Sequence, residues 1–212
     1  MLYLHGFCSG AGSAKGTYLA DRFAGEGVEV VRPDLDGGDF RHTTMSDQLA
    51  LVDRLVTALR PALLIGSSLG GYLAALHASR RPQSCPALVL LAPAFDFHRR
   101  LVRVLGPQVP AWRDAGTLDF FHYRYGEPMA LGYAFLEDAA VHEAFPEVKV
   151  CTRVLHGLHD ETVPPRVIRR FARRCPQVDV EWFSTDHGML DATDRIWLSV
   201  KEAYRSARRR TC

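Results

Sequence analysis

The sequence predicts an α/β fold, in which a mostly parallel sheet of about six strands carries helices on both faces. Short apolar runs alternate with amphipathic stretches along the whole chain, which is the pattern of repeated strand and helix units. The apolar runs are nearly continuous, as in strands that are buried on both faces of a parallel sheet. Glycine or proline bounds most of them. The predicted strands are residues 1–7, 28–35, 62–67, 87–94, 152–157 and 178–184.

Between these runs, apolar residues recur at helical spacing. In residues 45–60 they fall on one face, Thr44 is the predicted N-cap, and Pro61 ends the helix. In a sheet of this kind, sites lie at the carboxyl ends of the strands, so the residues that follow each strand are the candidates for chemistry. The remaining predicted helices are residues 14–25, 68–80, 164–174 and 194–207.

The regular alternation breaks between residues 95 and 148, where aromatic residues, prolines and glycines mix without a clean period. This segment is either a pair of helices with a weak pattern or an inserted cap. We favour a small cap, because a connection of this length is far longer than a crossover helix needs. No repeat, linker or low-complexity stretch divides the chain, so we expect residues 1–212 to form a single domain.

Composition restricts the classes of function. The 212 residues carry a formal net charge of only +2, so the total charge predicts no nucleic-acid partner. No run approaches about 18 consecutive apolar residues, and the first residues lack the pattern of a signal peptide, so we expect neither a membrane span nor a targeting signal. The five cysteines are scattered, odd in number and without a C-x-x-C pair, which indicates reduced thiols in a cytoplasmic protein.

The stretch "GSSLGG" (66–71) contains two adjacent serines between a predicted strand and a predicted helix. In a nucleophile elbow, the residues two before and two after the serine must be small, because main-chain segments pack closely there. Centring the motif on Ser68 puts Gly66 and Gly70 at those positions, whereas centring it on Ser67 puts an isoleucine and a leucine there. A glycine-rich turn without chemistry would share the motif, but the preceding strand and the following helix favour Ser68 as a nucleophile.

A serine hydroxyl becomes a strong nucleophile when a histidine takes its proton and a carboxylate orients that histidine. In this architecture the chain order is serine, acid, histidine. Of the nine histidines, His187 alone follows the last predicted strand by two or three residues, where the base is expected. Asp160, after the penultimate strand, is the preferred acid, and Asp96, after an earlier strand, is the rival. His156 and His159 could join His187 at a metal, but their flanks indicate loop packing, so we expect no metal site.

Acyl transfer also needs an oxyanion hole, which is built from main-chain amides. The amide of Leu69, directly after the candidate nucleophile, is the first expected donor. In "YLHGF", Gly6 lets the main chain turn close to the substrate, so the amide of Phe7 is the second. A simple turn at His5 and Gly6 is the alternative interpretation of that stretch.

Together, "LYLHGF", "GSSLGG", "HGLHDETVP" and "DHGM" resemble the sequence blocks of the α/β-hydrolase superfamily, in particular its small bacterial serine esterases and the related mitochondrial acyl-glucuronide and depalmitoylating esterases. The similarity covers nearly the whole chain. It implies the α/β-hydrolase fold, Ser68 as nucleophile, His187 as base, Asp160 as acid, and the amides of Phe7 and Leu69 as oxyanion donors. The chain differs from larger members in starting directly at the H-G block, which predicts a sheet that is shorter at one edge. The stretch after "VRPDLDGGD" also differs, which leaves that wall of the pocket unassigned.

The sequence therefore predicts a serine hydrolase that cleaves a small-molecule acyl ester or thioester through an acyl-enzyme, without a cofactor. An amidase or peptidase is an alternative, although it usually needs a larger cap. A non-catalytic binding protein on a hydrolase scaffold is another, although such proteins typically lose a triad member. Aromatic residues of 95–148, with Phe121 and Tyr125 as candidate substrate contacts, either wall an apolar pocket or form core, and Arg124 meets either an anionic group or solvent. The pattern predicts neither the acyl-chain length nor the oligomeric state.

Overall fold

A parallel sheet of five strands forms the centre of the part of the chain that the computed structural model describes, residues 1–84 and 87–210. The sheet order is β1-β2-β3-β6-β7, and all neighbours are parallel. The separate strands β4 and β5 form an antiparallel hairpin. The predicted parallel sheet is confirmed, with five strands rather than about six. In chain order the strands are β1 (Leu2–Leu4), β2 (Leu64–Ser67), β3 (Ala87–Leu91), β4 (Thr117–His122), β5 (Glu127–Gly132), β6 (Cys151–Gly157) and β7 (Asp179–Phe183).

The predicted strand at residues 28–35 is reduced to a single bridge at the edge of the sheet. Val31 pairs in parallel with β1. Its N–H donates to the carbonyl of Met1, and its carbonyl accepts from the N–H of Tyr3. Pro33 follows two residues later and has no N–H with which to extend the ladder. The chain therefore leaves the sheet before a sixth strand can form.

Helices cover both faces of this sheet. Leu64 of β2 packs in a core cluster with the second and third helices, whereas Ile65 packs on the opposite face with the first and last helices. This alternation is the ordinary consequence of strand geometry. The helices are α1 (Ala14–Ala24), α2 (Met45–Leu59), α3 (Leu69–Arg80), α4 (Phe97–Leu105), α5 (Gln108–Ala115), α6 (Ala134–Ala139), α7 (Pro165–Arg174) and α8 (Thr193–Arg210), with a 3-10 turn at Leu190–Ala192.

The five helices predicted from the sequence correspond to α1, α2, α3, α7 and α8, with boundaries that agree within a few residues. The predicted cap of α2 is present, since the side chain of Thr44 accepts a hydrogen bond from the N–H of Asp47. The side chain of Asp47 accepts in return from the N–H of Thr44, which completes a capping box.

Residues 95–148 fold into α4, α5, the β4–β5 hairpin and the short helix α6. The buried apolar side chains of the segment belong to the same hydrophobic cluster as Leu64 on that face of the sheet. Trp112 is fully buried, its indole N–H donates to the carbonyl of Leu131 at 2.9 Å, and its ring meets those of Phe120 and Tyr133 edge-on. Phe95 enters the same cluster by stacking on Phe171 of α7, so the aromatic residues of the segment are divided between the shared core and the exposed turn of the hairpin.

None of the described helices is both long and apolar enough to cross a membrane. Cys8, Cys151 and Cys175 are free thiols, and Cys85 and Cys212 lie outside the described residues. Burial raises the pKa of the Cys8 thiol well above its usual value, so this thiol stays protonated.

Candidate active site

Ser68 occupies the sharp turn between β2 and α3. Its φ of 51° and ψ of −115° lie in a region that residues other than glycine rarely adopt. Strain of this kind costs about 1–3 kcal/mol and persists where the surroundings hold it in place. The N–H of Ser68 donates to the carbonyl of Leu91 at 2.8 Å, and its carbonyl accepts from the N–H of Ala94 at 3.0 Å. These bonds fix the Ser68 hydroxyl at the carboxyl end of β2.

Glycines on both sides of Ser68 make this turn possible. A Cβ atom at Gly66 would lie 2.3 Å from the carbonyl oxygen of Gly70, and a Cβ atom at Gly70 would lie 2.4 Å from the carbonyl oxygen of Leu4. Main-chain atoms at such distances leave no room for any side chain. Ser67 is buried, whereas Ser68 is partly exposed. The small-residue frame that the motif predicts around Ser68 is therefore present.

Side chains from three loops form a hydrogen-bonded series at this edge of the sheet. The Nε2 of His187 lies 3.1 Å from the Oγ of Ser68. The Nδ1 of His187 lies 2.7 Å from the Oδ2 of Asp160. Because a carboxylate only accepts hydrogen bonds, Nδ1 carries the ring proton, and Nε2 is left to accept from the Ser68 hydroxyl. The arrangement can move a proton from that hydroxyl to the imidazole.

The loops after β6 and β7 are packed so that Asp160 cannot turn freely. Asp160 is 2% exposed, and its second oxygen accepts from the N–H of Val163 at 2.6 Å. A Cβ atom at Gly157 would lie 2.4 Å from the carbonyl oxygen of Thr185, so the two loops touch through their main chains. Both oxygens of the buried carboxylate are thus satisfied, and one of them is aimed at His187.

The rival acid, Asp96, lies at the start of α4. Its φ is 58°, and its N–H donates to the carbonyl of Ala144 at 2.8 Å. One of its carboxylate oxygens is buried without a hydrogen-bond partner among the described residues. The structure therefore brings Asp160, and not Asp96, to His187.

The two other histidines considered from the sequence have separate surroundings. His156 is fully buried, and its Nε2 donates to the carbonyl of Val163 at 2.9 Å. Burial lowers the pKa of His156 to about 4 although Asp160 opposes the shift, so this ring is neutral at pH 7. The Nε2 of His159 lies 3.2 Å from the Oγ of Ser184. Within residues 1–84 and 87–210, no group of three or more His, Cys, Asp or Glu is arranged to hold a metal ion.

The two main-chain segments that were predicted to supply oxyanion donors both adjoin Ser68. Leu69 is the first residue of α3, and the first amides of a helix have no partner within it. A Cβ atom at Gly6 would lie 3.3 Å from the Cβ of Ser68, so the main chain that leads to Phe7 passes beside the serine. The role of these two amides in binding an oxyanion stays a prediction.

The serine opens onto a cavity of about 650 Å³. Tyr123 and Arg124, in the turn of the β4–β5 hairpin, are among its lining residues. The predicted contacts Phe121 and Tyr125 are not among them, and they are 53% and 46% exposed. The ring of Phe121 meets that of Tyr123 edge-on, with centroids 5.4 Å apart. The structure thus places the immediate neighbours of the predicted contacts on the cavity wall, and a substrate contact by Phe121 or Tyr125 stays a prediction.

Lys15 is a lining residue that sequence reasoning missed. It lies in the first turn of α1, and its Nζ donates a hydrogen bond to the carbonyl of Gly188 at 2.6 Å. Gly188 is the residue that follows His187 in the chain. Burial lowers the pKa of Lys15, while Asp186 and Asp160 oppose the shift. The available signal was a lysine in "GSAKG", a few residues after the H-G block that already pointed to the site.

Comparisons with known proteins find a matching family and similar curated sequences. The family described as "Uncharacterised protein family (UPF0227)" matches residues 1–201. The chain is 26% identical over 212 residues to palmitoyl-protein thioesterase ABHD10, mitochondrial, from Bos taurus, and the match spans 92% of this chain and 68% of that protein. The Homo sapiens protein of the same name matches with the same identity and coverage.

Solved structures extend this similarity to the fold. The alpha/beta hydrolase domain-containing protein 10 from mouse superposes with a TM-score of 0.78 at 23% identity, over 95% of this chain and 87% of that one. Est1E from Butyrivibrio proteoclasticus, solved with ferulic acid bound, superposes with a TM-score of 0.79 at 19% identity, over 95% of this chain and 86% of that one. The α/β-hydrolase fold predicted from the sequence is therefore confirmed.

Proposed function

The chain belongs to the UPF0227 family, and from that premise we propose that it is a serine hydrolase that cleaves carboxylic esters or thioesters through an acyl-enzyme. The observation that carries the proposal is the hydrogen-bonded series in which His187 lies 3.1 Å from the Ser68 hydroxyl and 2.7 Å from the Asp160 carboxylate. A histidine in this position can act as a general base toward the serine and then as a general acid toward the leaving group.

In the first step, the Oγ of Ser68 attacks the carbonyl carbon while the Nε2 of His187 takes the hydroxyl proton. The buried Asp160 accepts a hydrogen bond from the Nδ1–H of His187 during the whole reaction, so the imidazole keeps one tautomer. The same carboxylate stabilises the positive charge of the imidazolium when His187 is protonated. His187 then gives its Nε2 proton to the departing alcohol or thiol. The product of this step is an ester between the acyl group and Ser68.

In the second step, water takes the place of the leaving group. His187 accepts a proton from the water as the water attacks the acyl-enzyme, and the proton returns to Ser68 when the acid product leaves. Both steps pass through a tetrahedral oxyanion, and we assign its stabilisation to the amides of Leu69 and Phe7. A single donor of this kind is worth about 2.7–4 kcal/mol of transition-state stabilisation. The reaction needs neither a metal nor an organic cofactor.

Thioesters are included because the curated relatives are named palmitoyl-protein thioesterases. We propose that residues 95–148 act as a cap that sets acyl-chain preference, because the hairpin turn at Tyr123 and Arg124 lines the cavity beside Ser68. The scattered cysteines support a reducing compartment, and we propose the cytoplasm. An amidase or peptidase gains no specific support from the cavity.

The proposal is tested by following hydrolysis of p-nitrophenyl esters of increasing chain length beside acyl-CoA thioesters. We expect turnover of at least one series by the wild-type protein and a loss of about 10⁶-fold in Ser68→Ala, as is typical when a catalytic serine is removed. Ser67→Ala is the matched control and should keep most of the activity. Equal activity of Ser68→Ala and the wild type, or the absence of hydrolysis in both series, would contradict the proposal.

A further inference from the structure

The cavity beside Ser68 has a polar recess at the start of α1. We use "α1 recess" for the group formed by Tyr3, Ser13 and Lys15, all of which line the cavity. One of the three N–H groups of the Lys15 ammonium donates a hydrogen bond to the carbonyl of Gly188, with Nζ 2.6 Å from the oxygen. The other two N–H groups of the ammonium can therefore donate hydrogen bonds to a bound ligand.

Two hydroxyls of the α1 recess are without hydrogen-bond partners. Tyr3 is 1% exposed, and neither its hydroxyl nor the buried hydroxyl of Ser13 has a partner among the described residues. Burial raises the pKa of Tyr3, and hydrogen-bonding interactions with the nearby Ser13 and Ser67 oppose the rise, although neither contact reaches the length and angle of a full hydrogen bond. Buried polar atoms are nearly always satisfied, so these two hydroxyls are available to hydrogen-bond a group that enters the cavity.

The start of α1 adds main-chain donors to the same place. The helix has 11 residues, its first turn contains no acidic residue, and the side chain of its N-cap residue, Ser13, makes no capping bond. The first N–H groups of a helix lack partners within it and attract negative charge. The N-terminus alone would indicate little, but here it coincides with the buried, unpartnered hydroxyl of Tyr3.

The lysine and arginine side chains that line the cavity carry charge of one sign. Lys15 and Arg124 line the cavity, and no Asp or Glu is found among its lining residues within the described part of the chain. Arg124 is already paired with Asp34, outside the lining. Lys15 is attracted by Asp186 and Asp160, but neither carboxylate forms an ion pair with it in the described part of the chain. The ammonium of Lys15 is thus the cation most available to a ligand.

We propose that the α1 recess binds an oxyanion of the substrate, a carboxylate or a phosphate, and so selects anionic esters or thioesters. The proposal rests on the proposed hydrolase function. The ammonium of Lys15, the hydroxyls of Tyr3 and Ser13 and the amides at the start of α1 all donate, as an oxyanion requires. A neutral substrate would offer these donors no negative charge, so we expect the site to favour an anionic substrate.

The test compares anionic esters with neutral esters of similar size. Mono-p-nitrophenyl glutarate carries its charge on the acyl side, with p-nitrophenyl butyrate as the neutral match. 4-(Butyryloxy)benzoate carries its charge on the leaving group, with 4-(butyryloxy)benzamide as the neutral match. We expect the wild type to prefer the anionic member of at least one pair, and the pair that shows the preference identifies which side of the substrate enters the recess.

Two substitutions probe the donors. Lys15→Met and Tyr3→Phe should each lower the anionic-to-neutral ratio of kcat/KM by about 10- to 100-fold, mostly through KM, as expected for a lost charged or buried hydrogen bond. Lys149→Met, an exposed lysine before the amino end of β6, is the control and should leave the ratio unchanged. A wild type without anionic preference, an unchanged ratio in both variants, or an equal loss on neutral and anionic esters would overturn the proposal.

A binding measurement separates failure of the subsite from failure of the hydrolase assignment. Inorganic phosphate is titrated into the wild type, Lys15→Met and Lys149→Met and followed by NMR. Binding to the wild type and the control, weakened about tenfold or more in Lys15→Met, supports the recess even if no ester is hydrolysed. Equal binding by all three proteins contradicts it even if ester hydrolysis is efficient.

Discussion

The turns that hold Ser68, Asp160 and His187 differ in construction from residues 95–148. In the first region, main-chain segments approach so closely that side chains at Gly66, Gly70 or Gly157 would collide with carbonyl oxygens less than 2.5 Å away. In the second region, the buried ring of Trp112 packs against Phe120 of a hairpin whose turn is exposed.

The attachment of the hairpin shows the same difference. Its turn joins the rest of the chain through a main-chain hydrogen bond of 2.8 Å from Tyr123 to Cys8 and through the ion pair of Arg124 with Asp34. The side chains of Tyr123, Arg124 and Tyr125 in the turn are exposed, although His122 directly before them is buried and lies 3.2 Å from the Asp36 carboxylate. The candidate catalytic groups thus lie where main-chain segments pack closely, while an exposed turn carries part of the surface that we propose meets the substrate.

The largest effect should separate the two candidate acids, which follow two strands of the same sheet. Asp160→Asn removes the acceptor that orients His187, and we expect turnover to fall by about 10⁴-fold, as in well-studied triads. Asp96→Asn should change turnover little, because Asp96 does not contact His187. Steady-state hydrolysis of a p-nitrophenyl ester measures both, and the reverse ranking would place the acid in the loop after β3.

Acid should lower the free energy of unfolding through His156, which lies in β6 and 3.7 Å from Asp160. The pKa of His156 is lowered to about 4 in the folded protein, mainly by burial, so between pH 4 and pH 6.5 the unfolded chain binds more protons than the folded one. Stability is therefore fully present above pH 6.5 and is lost as the pH falls toward 4, by about 3 kcal/mol from this group. Urea unfolding near neutral pH and near pH 4 should show this loss in the wild type.

His156→Gln provides the control for that experiment, because carboxylates also titrate near pH 4. The variant should be less sensitive to acid than the wild type by roughly the His156 contribution. The same pH dependence in both proteins would show that His156 is not the group responsible.

Glycine substitutions compare the packing of the two regions directly. A Cβ atom at Gly70 would lie 2.4 Å and 2.5 Å from two carbonyl oxygens. A Cβ atom at Gly126, in the hairpin turn, would have no neighbour within 4 Å, so the positive φ of 74° is the one obstacle to a side chain there. Gly70→Ala should therefore lower the free energy of unfolding by about 1–3 kcal/mol or more, with loss of Ser68 reactivity. Gly126→Ala should cost about 1–2 kcal/mol and keep that reactivity. If Gly70→Ala and Gly126→Ala changed the free energy of unfolding and the reactivity of Ser68 to the same extent, the two regions would not differ in packing as described.

The smallest expected effect concerns acyl-chain preference. Removing the cavity-lining ring in Tyr123→Ala should shift the chain-length profile by up to about fourfold per methylene, since a buried methylene contributes about 0.8 kcal/mol. Phe121→Ala and Tyr125→Ala, outside the lining, should shift the profile less. None of the three should change the rate at which a fluorophosphonate labels Ser68. Variants that lose stability while their remaining activity keeps an unaltered chain-length profile would identify the segment as core.

Much of the sheet and its helices could be predicted because their signals are local. The capping box at Thr44 and Asp47 and the continuous apolar strands each lie within a few residues of sequence. The strand at 28–35 was overestimated because its apolar run shows nothing of its position at a sheet edge, where Val31 alone pairs. The hairpin of β4 and β5 was missed because partly exposed strands with mixed side chains lack a clean period.

The site residues that could be predicted also had local signals in the sequence, and those that were missed did not. Ser68 could be singled out because its glycines lie two residues to either side, and His187 because of its distance from a strand. Lys15 could not, since its partner Gly188 is 173 residues away. The wall contacts were placed on Phe121 and Tyr125 because the direction of each side chain in the turn depends on pairing that the sequence does not display.

Covalent labelling of the serine tests the central claim most directly. The protein is treated with a fluorophosphonate, the adduct is counted by intact mass, and its position is mapped on peptides. We expect one adduct, on Ser68, that is absent in Ser68→Ala and kept in Ser67→Ala. An adduct on Ser67, labelling that survives Ser68→Ala, or no labelling of the folded wild-type protein would contradict the assignment of Ser68 as the nucleophile.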